Sequence, residues 1–175
     1  MRINEIHSRL RKFTIAATGL DEGKVIIANQ SVLTRPKKPY ITIAASGFKN
    51  IATPIEKILS DDGEIKTTIS MVCSASFQAF SDITFEAEEL LSDLYINFST
   101  ELQSNIFNGD MAKRRTLKHV SAMPLILNQQ IENRAILEVE IGYFKSVIEQ
   151  VGIIEAVEID SHFNGLHLNG IHFDG

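Results

Sequence analysis

Few side chains in this chain have the type and spacing for chemistry. Glu138 and Glu140 stand two residues apart in a strand-like run, so they share one face. Paired carboxylates do acid–base work where burial splits their pKa values. Without a pocket, the same spacing describes a charged outer strand face. His162, His167 and His172 recur every five residues, each followed within three residues by Asn-Gly or Asp-Gly. Three imidazoles raise the question of a metal. No cysteine accompanies them, however, and no pair falls at i, i+4 on one helical face. No metal and no other cofactor is expected. The Asn-Gly and Asp-Gly turn signals predict an irregular arm over 161–175, packed on a neighbouring subunit or mobile. His7 and His119 have no nucleophile partner in sequence. Cys73, the single cysteine, lies in an apolar strand pattern and reads as a small core residue. No Gly-rich phosphate loop, His-Glu-x-x-His or Gly-x-Ser-x-Gly occurs, so no catalytic residue is assigned.

Basic residues are the other candidates. Pro36 and Pro39 bracket Lys37 and Lys38, and each proline stiffens its surroundings. The loop is therefore expected to be rigid and exposed, presenting Arg35, Lys37 and Lys38 beside Tyr40. A second group, Lys113, Arg114, Arg115 and Lys118, opens a later strand. Single-strand nucleic-acid binders interleave stacking aromatics with such cations, and only Tyr40 is present here. An acidic protein surface is the expected partner, such as a face of a neighbouring copy. Reversing Arg35, Lys37 and Lys38 to Glu is then expected to weaken assembly with little effect on subunit unfolding.

The elements that must position these groups follow from periodicity. Ile3, Ile6, Leu10, Phe13 and Ala17 make one helical stripe over 3–17, and Gly19 is placed as its C-cap. Lys24 to Ser46 reads strand, basic loop, strand. Residues 49–63 read as a connection, with one helical turn at Ile55, Ile58 and Leu59. Ile65 to Phe77 alternates Ile69, Met71, Cys73, Ala75 and Phe77 against Thr68, Ser70, Ser74 and Ser76. That second face, polar but uncharged, suits contact with another subunit or a narrow channel. A long stripe from Ile83 to Ile106 predicts one helix over 82–106, capped by Ser81 or Asp82. A strand from Lys113 to about Leu127 follows, with Pro124 marking an edge or bulge. Then come a turn over 128–133, a strand over 134–148 and a short strand over 153–159.

The chain has 175 residues, enough for one domain over 1–160 followed by the arm. Apolar residues make up 44%, enough for a core. A net charge of −5 argues against a general DNA or membrane-surface binder. No segment approaches the ~20 apolar residues of a membrane helix. No signal peptide is expected, and folding is expected in the cytoplasm. Composition and spacing alone describe a soluble mixed α/β domain that serves as an assembly part.

Several stretches together resemble the tailed-phage neck terminator proteins, also called tail completion proteins. They are Ala16-Ala17-Thr18-Gly19-Leu20, Lys24 to Asn29, Arg35-Pro36, Pro39-Tyr40-Ile41-Thr42-Ile43 and, later, Asn133-Arg134-Ala135-Ile136-Leu137. The likeness runs over about residues 5–158 and leaves out the histidine repeat. It implies an α+β fold, a twisted mixed or antiparallel sheet packed by two main helices. It implies a ring-forming subunit, six copies to a ring, that caps the last ring of the tail tube and halts its polymerisation. The ring's other face would meet the head-side connector or stopper protein, with a sheath protein as a further candidate partner. DNA would pass through the lumen without specific binding, and no membrane is involved. The protein would be assembled in the host cytoplasm and reside in the virion neck. Asp61, Asp62, Glu138 and Glu140 are candidates to face that lumen. Arg35, Lys37, Lys38, Tyr40, Lys113, Arg114, Arg115 and Lys118 are candidates for subunit or axial contacts. The alternatives are another head–tail assembly protein, such as a stopper or tube protein, or a small enzyme.

Overall fold

A computed structural model of the protein describes residues 1–28, 35–58, 64–127 and 130–150. Among these, helix α1 (Ile3–Thr18) forms as its stripe requires. Ile6, Leu10 and Phe13 are fully buried, whereas Ile3, at the helix start, is 52% exposed. Gly19 takes φ +68° and donates its N–H to the Ile15 carbonyl at 2.9 Å, which only glycine does at low cost.

Strand β1 (Val25–Ile27) pairs in parallel with β2 (Tyr40–Asn50). The remaining strands, β3 (Ile55–Ile58), β4 (Glu64–Ser81), β5 (Met111–Ala122), β6 (Leu125–Leu127) and β7 (Gln130–Gln150), pair antiparallel. The main order is β1-β2-β4-β7-β5, with β3 attached to β4 and β6 to β7. This is the expected α+β fold with a mixed sheet. β4 and β7 form its spine, paired continuously from Glu64↔Gln150 to Ser81↔Asn133. Period-two alternation sends Cys73, Ala75, Phe77 and Ala79 of β4, with Leu137, Val139 and Ile141 of β7, into the core. The helices cover that face, where the Phe13 ring lies 4.5 Å from Phe98 and 5.2 Å from Phe107.

Five sequence expectations are corrected. Ile55 and Ile58 belong to a strand, β3, not a helical turn. β4 extends past the helices and offers an unpaired ladder, and two β-branched residues on it outcompete an uncapped single turn. The helix expected over 82–106 is two, α2 (Glu86–Asn97) and α3 (Glu101–Phe107). Thr100 caps α3, its hydroxyl accepting from the Leu102 N–H at 3.3 Å, which stops α2 from running on. α2 itself starts after Phe85 at φ +68°, not at Ser81 or Asp82, and Ile83 and Phe85 are left 63% and 68% exposed. Ser81 is buried instead and bonds the Glu86 carboxylate. Within the expected turn over 128–133, residues from Gln130 onward are already strand β7, paired to β6 as Leu125↔Glu132. Finally, the strand expected to reach Leu127 is broken in two beside Pro124, giving β5 and β6. β5 is the edge strand that the proline signalled, with three register shifts against β7. The strand expected over 153–159, the 161–175 arm, Asp61 and Asp62 lie outside the described residues.

Candidate assembly surface

The face of the sheet turned away from the helices is the surface to examine. Ser74 and Ser76 of β4, with Glu138 and Glu140 of β7, alternate with the core residues and are half-buried on this face. At one end it is closed by the subunit itself. Tyr40, Phe80 and Arg134 stand in one cross-strand row. The Tyr40 ring stacks on Phe80 at 4.7 Å, and the Arg134 guanidinium lies 5.5 Å from the Phe80 centroid on the other side.

Each predicted contact residue has a definite place. Arg35 and Lys37 are exposed, and Lys24 donates to the Lys37 carbonyl. Lys38 is not presented outward. Its ammonium pairs with Glu132 at 3.0 Å and Asp82 at 3.1 Å of the same chain. Tyr40, at 2% exposure, is likewise turned into its own subunit. The Lys113 ammonium sits over the Tyr95 ring at 4.2 Å on the helix side. Lys118 stands opposite Glu138 in register, and its ammonium reaches the Met123 sulfur at 3.4 Å. Arg115 pairs with Glu140 at 3.0 Å. Glu140 thus has a cation paired to it, while Glu138 has Lys118 across the strand but enters no ion pair among the described residues.

The register shift between Lys113 and Arg115 adds one residue to β5. Arg114 is that residue, and its stem lies across β7 over Gly142. A β-carbon at Gly142 would stand 2.8 Å from the Arg114 Cδ, so the glycine makes room for the crossing. Arg114, Arg115, Lys49, Ile51 and Glu140 line a depression of about 400 Å³. Lys49 and Ile51 were not singled out in the sequence, because only the pairing of β2 and its end with β4 brings them to this depression. Gly142 inside a strong strand pattern was the signal available, since such glycines often mark a bulge or close approach.

Nothing here resembles an activated nucleophile. Burial, with the Glu140 carboxylate adding to it, pushes the Cys73 thiol up to about 11. Burial also raises the Tyr40 and Tyr143 hydroxyls above their ordinary value. Among the described residues no group of His, Cys, Asp and Glu has the makings of a metal site, and no helix is long and apolar enough to cross a membrane.

Residues 4–165 match the family described as phage neck terminator protein. The chain belongs to that family. Its role is therefore structural, in terminating the phage tail. No curated protein matches this terminator by sequence. In fold it is similar to the sheath/tube terminator of an extracellular contractile injection system, PVC, determined by cryo-EM in the extended state. That likeness has a TM-score of 0.50 at 10% identity, and covers 95% of this chain and 66% of the other. At that identity it is a likeness of fold.

Proposed function

We propose that six copies of this terminator form a ring that caps the last ring of the tail tube and stops its growth. The ring's other face joins the head-side connector, and the genome passes through the lumen. The observation that carries this reading is that, among the described residues, the sheet has helices on one face only and is extended beyond them by a three-stranded arm. In that arm β3, the start of β4 and the end of β7 pair as Ile55↔Thr68 and Thr68↔Ser146. On its outer face Ile55, Phe144 and Ile148 are 71%, 51% and 60% exposed. Grouped apolar exposure of this kind marks a contact surface. A net charge of −5 suits a conduit through which DNA slides without sticking. The fold shared with a sheath/tube terminator supports a sheath protein among the partners.

Electron microscopy of particles made without this protein tests the reading. Over-long tails, or tails detached from heads, are expected. Tails of normal length joined to heads would overturn it. Open-ended polymers of the purified protein would point to a tube protein instead.

A further inference from the structure

The depression around Arg114 is built from the backbone up. One cross-strand row on the outer face runs Lys49, Val72, Gly142. Arg114 lies over its glycine end. The neighbouring row ends in Glu140 and Arg115, which are paired to each other. Among the described residues Lys49 and Arg114 are exposed and enter no ion pair. Ile51, 44% exposed, lines the same depression. Among the described residues the site therefore offers two unpaired cations and one exposed isoleucine.

The opposite side of the same subunit carries the complement. Helix α2 buries Ala87, Leu91 and Leu94. The opposite stripe, at i, i+4 and i+7, is Glu89, Asp93 and Ile96. Glu89 and Asp93 are exposed and unpaired among the described residues, and Ile96 is 60% exposed. The three side chains span about 10 Å along the helix at 1.5 Å per residue. Asp82 and Asp110, beside the helices, are engaged with Lys38 and Arg9; Glu88 and Glu101 enter no ion pair among the described residues but lie off this stripe.

We infer that α2 of one copy seats on the outer sheet face of the next, with Glu89 and Asp93 on Lys49 and Arg114, and Ile96 against Ile51. This rests on the ring reading above and names the contact that would close the ring. The two surfaces lie on opposite layers of the subunit, so one copy cannot join them internally. A two-fold pairing of the basic face with itself would set cation against cation. A front-to-back contact is heterologous and repeats around a closed ring.

Charge reversal and its repair test the contact. Lys49→Glu with Arg114→Glu, and separately Glu89→Lys with Asp93→Lys, should each lose the ring in sedimentation velocity, with tube protein present if wild-type rings need it. All four positions are exposed, so thermal unfolding of each variant should stay near wild type. Carrying both reversals in one chain should restore the ring. Wild-type rings that neither reversal disturbs would overturn this contact and leave the ring reading standing. Loss in both variants without repair in the combination would also overturn the pairing. A first reversal that leaves rings intact but abolishes retention of duplex DNA would overturn it in favour of a nucleic-acid surface. A wild-type chain that stays monomeric, alone and with tube protein, would overturn the ring reading itself.

Discussion

Lys38 holds two distant carboxylates of its own chain, Glu132 and Asp82, and is only 22% exposed at its side chain. Burial alone would lower its pKa from 10.5, but hydrogen bonds to Glu132 and Asp82 outweigh it, and the net direction is upward. A raised lysine pKa stabilises the fold fully below the unfolded value and loses that contribution as pH rises through the folded one. Lys38→Met leaves Glu132, 11% exposed, without its cation and should cost about 1–3 kcal/mol in urea unfolding at neutral pH. The gap between variant and wild type should close in strongly alkaline solution; a gap that persists there would refute the ion-pair account. Reversing Arg35 and Lys37 alone is thus the fair test of the loop's surface, since reversing Lys38 damages the subunit. Cys73 gives a second expectation. With its thiol buried and pushed up to about 11, it should resist an aromatic disulfide reagent in the folded protein and react after denaturation. The proline-bracketed basic loop was legible in the sequence. Its ion pairs were not, because they depend on where β7 begins, far along the chain.

At the scale of elements, alternation and stripes were read correctly where burial enforces them. β4 and β7 are each buried on one face along their central lengths, so period two is written plainly into them. α1 carries a stripe and a glycine cap for the same reason. The break between α2 and α3 was hidden because Leu102, Ile106 and Phe107 pack on the same core as Leu94 and Phe98, so the apolar period runs through it. Only the Thr100 hydroxyl marks the new start. Thr100→Ala should lower stability by about 0.5–2 kcal/mol in urea unfolding, with the fold retained. No change would mean that packing alone sets the break. β3 was hidden for the opposite reason: four residues hold too little pattern, and the free ladder of β4 decides their state.

For the whole molecule, neck terminator membership over 4–165 agrees with a likeness visible over about 5–158 in short motifs. Those motifs are structural, a capped helix, a β-branched run and a proline-marked loop, so they pointed to a family without pointing to a contact. The same chain can be self-neutralising at Lys38 and Arg115 yet carry free charge at Lys49 and Arg114, and linear spacing does not separate the two cases. By itself the sequence determined α1 and the central strands, their buried faces, the missing catalytic motifs and the family. Local periodicity, capping and composition are properties of neighbours along the chain, and they survive without a fold. Tertiary structure alone decided which cations are paired, that a bulge over Gly142 turns Arg114 across β7, and that the acidic stripe of α2 lies on the layer opposite the basic depression. Those depend on strand register between distant segments, and register is settled only when the whole sheet closes on its core.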